Sequence, residues 1–310
     1  MRIDLHAHSS VSDGTETPER VIDNAVAAGL DTLALTDHDT VGGVAAAAAH
    51  APAGFVLVPG MELSCAYEGT SVHLLAYLFD AGHAGLAEEL RWIRADRVTR
   101  AERMVRCLRD AGIGVTWERV SEIAHGTRGS GNASDGGDDD DVVGRPHIAR
   151  AIVEAGGAHD VQDAFDRWIG SGRPAYVARY APDPVRAVRL VRAAGGVCAL
   201  AHPARGEGSA TGPVPDPLVE RMVGAGLGGI EADHPSHDDT EREYWRARAA
   251  DLGVVVTGSS DDHGALTGHR LGCRTTAPEA FATLVAPATG ATPITGGMRP
   301  DQATGLTGHG

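Results

Sequence analysis

Arg2-Ile3-Asp4-Leu5-His6-Ala7-His8 opens the chain as a short aliphatic run that ends in two histidines one residue apart. Alternate residues of a strand face one side, so both imidazoles project together from the strand's C-terminal end, and Asp13 follows five residues later. The pattern repeats. Aliphatic runs at residues 2–5, 32–36, 55–58, 72–78, 197–201, 229–232 and 254–257 read as strands, with helices such as residues 18–28, 184–194 and 240–251 between them. The second run leads into Asp37-His38-Asp39 and the third into Gly60-Met61-Glu62-Leu63-Ser64. The fourth carries His73, the fifth ends in His202-Pro203, and the seventh leads into Ser260-Asp261-Asp262-His263-Gly264. Seven strands separated by helices predict a parallel α/β sheet, and closure into a barrel buries both of its faces. Catalytic and metal-binding groups of such barrels gather at the C-terminal strand ends. Six histidines and three carboxylates placed there, without sulfur, predict a centre for two or three divalent ions, Mn²⁺, Zn²⁺ or Fe.

Composition narrows the chemistry. The 310 residues carry 27 basic side chains, every one an arginine, against 42 acidic ones, for a formal charge of −15. With no lysine, Schiff-base chemistry, a Walker-type phosphate loop and a carbamylated-lysine metal bridge are all excluded. The negative charge argues against a general duplex-DNA binder, which gains affinity by displacing counterions with a basic face. Cys65, Cys107, Cys198 and Cys273 lie far apart with no CxxC pair, which fits a reducing cytoplasm. No apolar run approaches the roughly 18 residues of a membrane span, and the first residues lack a signal-peptide stretch, so no membrane partner is expected.

Between the fourth and fifth strands, residues 81–182 carry helical signals only and are expected to form an inserted helical subdomain. The barrel is then discontinuous, residues 1–80 and 183–285. Within the insert, residues 126–141 are mostly Gly, Ser and Asp with four consecutive aspartates, and a mobile solvated loop is expected there. Residues 286–310, rich in Gly, Thr and Pro, are expected to be a disordered tail. Oligomeric state has no signal in the sequence.

The ordered series HAHSS with Asp13, TDHD, GMELS, His73, AHP and SSDDHG resembles the motif set of the PHP superfamily, the polymerase and histidinol phosphatase group of metal-dependent phosphoesterases. The resemblance runs from Met1 to about Gly264. Gly144-Arg145-Pro146-His147-Ile148-Ala149-Arg150 and Ala164-Phe165-Asp166-Arg167 are similar to the branch holding bacterial nucleoside 3',5'-bisphosphate phosphatases and 5'-to-3' exoribonucleases. The resemblance implies a distorted (β/α)7 barrel with an inserted helical subdomain, and a trinuclear metal centre with Mn²⁺ as first choice. His6, His8, Glu62 and Asp261 would hold one ion. Glu62 would bridge to a second held by His73 and His202, and Asp13, His38 and His263 would hold a third. Asp262 stands where relatives often carry an aromatic residue and is expected to add polarity at the rim. Asp37 and Asp39 flank a ligand and are expected to orient imidazoles.

Clustered divalent ions acidify a bridging water, so a metal-bridging hydroxide is the expected attacking group and no protein nucleophile is required. Phosphate charge outside the metals falls to arginine, whose planar fork suits phosphate oxygens. Arg145 with His147 is the first candidate, although Pro146 also suits the start of a helix that Arg145 would merely cap. Arg91, Arg94, Arg97, Arg100, Arg103, Arg106 and Arg109 recur every third residue, a spacing that spirals round a helix. Most are expected to be solvated, with Arg97 and Arg100 as candidates to face the metals. The resemblance places a histidine matching His237 near substrate, as phosphate ligand or as acid for the leaving group, with His234 beside it. His50, His83, His125, His159, His269 and His309 have no partner pattern and are read as surface.

The expected activity is removal of the 3'-phosphate of a nucleoside 3',5'-bisphosphate, extending to short RNA ends. The alternatives are a histidinol-phosphate or other small-molecule phosphatase, a lysine-independent amidohydrolase, and a non-catalytic metal- or RNA-binding module. The GRPH-bearing insert speaks against the first. The full set of nine ligand positions speaks against the last.

Overall fold

The computed structural model describes residues 1–126, 143–204 and 213–297, apart from the side chains at 97, 98, 125 and 126. Seven strands neighbour one another in chain order: β1 (Ile3–Asp4), β2 (Thr32–Leu35), β3 (Val56–Tyr67), β4 (Thr70–Tyr77), β5 (Val197–Leu200), β6 (Gly229–Asp233) and β7 (Val255–Gly258). The segment after β7 returns to the segment after β1. Asp261 N donates to His6 O at 2.9 Å, and His8 N donates to Asp262 O at 2.9 Å. These bonds bend the sheet into a nearly closed barrel and bring the first and last histidine motifs side by side.

Helices α1 (Pro18–Ala27) and α2 (Val44–His50) cover the first strands. Helices α3 (Ala84–Asp110), α4 (Trp117–Gly126), α5 (Arg145–Glu154) and α6 (Val161–Ala164), with a π-helical turn at Phe165–Ile169, occupy the long β4–β5 connection. Helices α7 (Pro184–Ala193), α8 (Asp216–Gly224), α9 (Asp239–Leu252) and α10 (Pro278–Val285) cover the remaining strands. Their starts are written locally. Thr17 accepts from Arg20 N, Asp183 accepts from Val185 N and Arg186 N, and Pro18 and Pro184 take first-turn positions where no N–H is needed. Asp238 and Glu241 close a reciprocal capping box at the start of α9.

Helix α3 belongs to two cores. Leu86, Leu90 and Ile93 pack with Val72, Leu74 and Val188 of the barrel layer, whereas Ala101, Met104, Val105 and Leu108 pack with Val120, Ile148, Ile152 and Ile169. One rigid rod of 27 residues thus sets the β4–β5 connection against the barrel mouth.

Two expectations are corrected here. The sheet is not wholly parallel, because β3 does not end near residue 58. It runs on to Tyr67 and folds back through Glu68-Gly69, both left-handed at φ 49° and 84°, the turn geometry that matches the twist of a hairpin. β4 therefore lies antiparallel to both β3 and β5. Pro59-Gly60 reads as a break in sequence, yet proline removes only one N–H and β3 continues through it. Glu62 thus lies within a strand rather than in a loop, with Ser64 opposite His73. The disordered tail expected from residue 286 does not begin there. Through residue 297 the chain folds back onto the barrel: Ile294–Thr295 (β8) pairs antiparallel with β3, and Thr289 N donates to Gly195 O at 2.7 Å. A side chain at Gly290 would meet Ala194 O at 2.3 Å, so only glycine fits that approach. Residues 127–142 and 298–310 lie outside the described residues, and with them nearly all of the expected loop and the rest of the expected tail. No described helix is long and apolar enough to cross a membrane.

Candidate metal centre

Glu62 is the hub on which the strand ends converge. Its Oε2 lies 3.1 Å from His6 Nε2, 3.1 Å from His8 Nε2 and 3.3 Å from His38 Nδ1. Its Oε1 lies 2.7 Å from His73 Nδ1 and 2.9 Å from His202 Nε2. Asp261 Oδ1 reaches both His6 Nε2 and His8 Nε2 at 3.3 Å. Asp13 collects the far side, with His263 Nε2 at 3.3 Å and His38 Nε2 at 3.6 Å. The barrel therefore brings all nine sequence-expected positions together. Three groups have ligand atoms within 4.8 Å of one another: His6, His8, Glu62 and Asp261; His8, Asp13, His38 and His263; and His38, Glu62 and His73. His202 belongs to none of these three groups and reaches the cluster through its Nε2, 2.9 Å from Glu62 Oε1.

The donor set fits divalent cations. Five separations among His6 Nε2, His8 Nε2, Glu62 Oε2 and Asp261 Oδ1 fall between 3.0 and 3.3 Å. Ligand bonds of about 2.0–2.1 Å in tetrahedral array would give edges of roughly 3.3 Å. His8 Nδ1 and His38 Nδ1 are buried with no hydrogen-bond partner, and each faces a carboxylate of the cluster, Asp13 at 3.7 Å and Glu62 at 3.3 Å.

Electrostatics agree. Burial disfavours a charge on His8, yet Asp261 and Glu62 outweigh it and hold the ring up to about 10. Burial opposed by Glu62 leaves His202 at about 9, and His6 is raised well above the ordinary imidazole value by Glu62, Asp261 and Glu231 against the same burial. Burial pushes the Glu62, Asp261 and Asp13 carboxyls upward, and the surrounding imidazoles more than reverse it, so all three sit well below the usual carboxylate range. Three anions ringed by imidazoles are a preassembled site for positive charge.

The neighbouring residues correct several expectations. Among the described residues Asp37 pairs with no imidazole: it accepts from Ser9 N at 2.8 Å, Ser9 Oγ at 2.7 Å and Ser12 Oγ at 2.7 Å, shaping the loop that carries Asp13. Asp39 accepts from Ser64 N at 2.7 Å. Asp262 is buried, not at the rim, and accepts from Thr267 Oγ1, Arg270 N and Gly264 N to close the loop after His263. His237 is buried with both ring nitrogens on backbone: Nδ1 at 2.8 Å from Ala232 O, and Nε2 accepting from Ala204 N at 3.3 Å. The histidine that faces the centre is His234, with Nε2 3.3 Å from Asp261 Oδ2. Its Nδ1 accepts from Ser236 N at 3.1 Å, which leaves the proton on Nε2.

Glu231 went unnoticed in the sequence. It is fully buried, 3.1 Å from His6 Nδ1, and accepts from His202 N at 2.8 Å. The available signal was a lone carboxylate inside the apolar run Gly229-Ile230-Glu231-Ala232.

From Asp13 and His38 a cleft of about 480 Å³ runs outward between the barrel mouth and the β4–β5 helices. Arg100, Arg145, Arg173 and Arg179 line it, together with Phe165 and Tyr180. Arg145 lies over the Phe165 ring at 5.4 Å. Arg100 Nε donates to Val177 O at 2.7 Å, and Arg179 Nη2 donates to Ser71 Oγ at 2.7 Å beside His73. His147 does not line the cleft. Its Nδ1 accepts from Gly144 N at 3.1 Å, so it fastens the start of α5, which carries Arg145. The side chain of Arg97 is outside the described residues. Arg173 and Arg179 carry no motif and were missed for that reason.

The PHP domain model matches residues 4–106. The 3',5'-nucleoside bisphosphate phosphatase of Chromobacterium violaceum is 34% identical over 266 residues, covering 84% of this chain and 87% of that protein. The chain belongs to the PHP family. A 5'-3' exoribonuclease of Haemophilus influenzae is 33% identical to this PHP chain over 205 residues, 66% of this chain and 69% of the relative. Among solved structures, one from Bifidobacterium adolescentis described as a metal-dependent phosphoesterase superposes on the PHP chain with a TM-score of 0.81 at 29% identity. It covers 93% of this chain and 96% of that one.

Proposed function

We propose that this metal-dependent phosphoesterase of the PHP family hydrolyses the 3'-phosphate of nucleoside 3',5'-bisphosphates and accepts short 5'-phosphorylated RNA ends. The observation that carries the reading is the cleft. Its inner end is walled by Asp13 and His38 of the candidate centre and its outer part by Arg145 and Arg173, so one cavity offers two separate sites for anionic groups. A substrate with one phosphate would leave one of them unused.

Three ions are proposed, Mn²⁺ first with Zn²⁺ or Fe as alternatives. His8 and His38 each belong to two of the clustered groups, and a neutral imidazole has one lone pair to give. Giving each ring to one ion, as the PHP resemblance implies, His6, His8, Glu62 and Asp261 would hold one ion, and Glu62, His73 and His202 another. Asp13, His38 and His263 hold the third. Bound divalent ions would supply neutralisation of the phosphoryl oxygens and a water acidified for attack.

The protein's own groups do the rest. Glu231 holds a proton on His6 Nδ1 and leaves Nε2 free as a donor to the ion. Ser71 Oγ lies 3.3 Å from His73 Nε2, which keeps Nδ1 turned toward Glu62, and it also fastens Arg179. Arg145 and Arg173 grip the 5'-phosphate, and Arg179 lies where the scissile phosphate enters. The walls of α3 and of the π-helical turn hold the nucleoside between the two charged ends.

A phosphate-release comparison tests the reading. The Mn²⁺-loaded protein is expected to give its highest kcat/KM on a nucleoside 3',5'-bisphosphate, with lower values on 3'- and 5'-monophosphates, short oligoribonucleotides and histidinol phosphate. A preference for histidinol phosphate, or equal rates on mono- and bisphosphates, would reject it.

A further inference from the structure

We propose that Arg270 is a positioning residue of the metal centre, whose guanidinium locks the Asp261 side chain so that only one carboxylate oxygen is offered to an ion. The proposal rests on the reading of Asp261 as a ligand and is independent of which phosphate ester is cleaved.

The backbone of Asp261 is held at φ 49°, in the left-handed region that a residue with a β-carbon keeps only where its surroundings fix it. Its N donates to His6 O at 2.9 Å. Its O accepts from Arg270 Nη2 at 2.7 Å, and the same nitrogen lies 3.4 Å from Oδ2 of the same residue. A terminal guanidinium nitrogen carries two protons, one for each of these oxygens. The short bond to the carbonyl is the anchor, and the longer one is an ion pair between side chains only 28% and 16% exposed, where water screens little. One donor shared by the carbonyl and the carboxylate of a single residue ties the rotamer to the backbone.

The two carboxylate oxygens are thereby divided. Oδ1 faces His6 Nε2 and His8 Nε2, each at 3.3 Å. Oδ2 receives His234 Nε2 at 3.3 Å as well as Arg270. Since the proton of His234 sits on Nε2, both neighbours of Oδ2 are donors, and turning that oxygen inward would break with both. Asp261 is then a one-oxygen ligand, and the coordination place that its second oxygen would fill is left to water.

Asp262 delivers Arg270 to this position. Gly264–Leu266 form a single 3-10 turn, and Gly268 and His269, at φ 79° and 54°, reverse the chain. The buried Asp262 carboxylate ties both ends of the loop: Oδ1 accepts from Arg270 N at 2.7 Å and Thr267 Oγ1 at 2.9 Å, and Oδ2 accepts from Gly264 N at 3.1 Å. Arg270 Nε is buried without a partner, so the side chain gives up one donor to reach Asp261 with another. A fixed cation beside a cation site also opposes binding by charge. The two effects have opposite signs, which makes the role testable.

The test is calorimetric titration of the metal-free full chain with Mn²⁺. Arg270→Met keeps the length of the side chain and removes its donors and charge. It is expected to weaken binding of one ion about 10- to 100-fold, with Arg270→Lys between it and the wild type. Turnover of a nucleoside 3',5'-bisphosphate should recover at high Mn²⁺ with KM unchanged. The visible bands of Co²⁺ weaken as its coordination number rises, so at full Co²⁺ loading Arg270→Met should absorb less than the wild type, its freed Oδ2 having joined the ion. Unchanged or tighter Mn²⁺ binding overturns the proposal, because only the lost charge would then be felt. Unchanged Co²⁺ bands overturn it too, as does a raised KM at unchanged Mn²⁺ affinity, which would make Arg270 a substrate contact. If Arg270→Met does not fold, Arg270→Lys carries the same comparisons. A wild-type protein that binds Mn²⁺ but hydrolyses no bisphosphate overturns the substrate reading, and the titrations still decide the role of Arg270. A wild-type protein that binds no divalent ion overturns both.

Discussion

Glu231 Oε1 stands 3.1 Å from His6 Nδ1, with both side chains out of solvent. The other oxygen of the same carboxylate accepts from the backbone N of His202, a residue held at φ 26° in the left-handed region. The Ser259 hydroxyl donates to Oε1, the oxygen that faces His6. Burial alone would raise the Glu231 carboxyl, but His6 more than reverses it and brings it down to about 2, so it is an anion at any working pH. One buried carboxylate thus settles which nitrogen of His6 carries the lone pair and supports the bent backbone that turns His202 toward Glu62.

Glu231→Gln is expected to lower metal affinity about 10- to 100-fold, the usual cost of losing a partner that orients a ligand. Every donor around Glu231 points inward, so an amide must turn one N–H against another. Turnover should recover at high Mn²⁺, with KM near the wild-type value. Metal titration of the variant checks this, and wild-type affinity would refute the assignment.

Metal loading should release protons. His8 titrates at about 10 and His202 at about 9, both above the ordinary 6.5, so both rings are charged at neutral pH until a cation displaces the protons. The stability that the raised values lend to the metal-free fold is complete below about pH 6.5 and is lost as pH climbs through 9 to 10. Metal affinity should rise over the same interval. Calorimetry of Mn²⁺ binding at pH 7 in two buffers of different ionisation enthalpy reads the release directly. Identical heats in the two buffers would contradict it.

Arg145→Ala should raise KM for a 3',5'-bisphosphate by about 10- to 100-fold, the equivalent of one charge-assisted contact of roughly 1.5–3 kcal/mol. For a 3'-monophosphate it should leave KM unchanged, since no 5'-phosphate is there to lose. A matching rise on both substrates would place Arg145 at the scissile phosphate instead.

Asp37→Ala removes the acceptor for Ser9 N, Ser9 Oγ and Ser12 Oγ at once. The expected cost is about 3 kcal/mol in urea denaturation, because buried donors are left unpaired. Stoichiometry should fall by the ion assigned to Asp13, whose loop these bonds shape. A variant of wild-type stability would show that the loop is held from elsewhere.

Much of the barrel was legible because its strands are buried on both faces, and such strands read as plain aliphatic runs between Ala-rich helices. The antiparallel β4 was not legible. Its direction depends on where β3 turns, and Pro59-Gly60 imitates an end that the backbone does not take. The ordered segment 286–297 was hidden for a similar reason, since Gly290 is chosen for a close approach to Ala194 O and leaves no apolar mark.

The amino-acid sequence by itself determined the ligand types and their places at strand ends, because a period of two and a run of histidines and carboxylates are local properties. It also determined that arginine must meet the phosphate charge, since no lysine exists to do so. Only the tertiary structure decided that Glu62 is shared by five imidazoles, that Glu231 stands behind His6, and that His234 rather than His237 faces the centre. Only the structure placed Arg173 and Arg179 in the cleft and Arg270 against Asp261. These are contacts between residues up to hundreds of positions apart. They follow from barrel closure and from the packing of α3 on two cores, which no local pattern encodes.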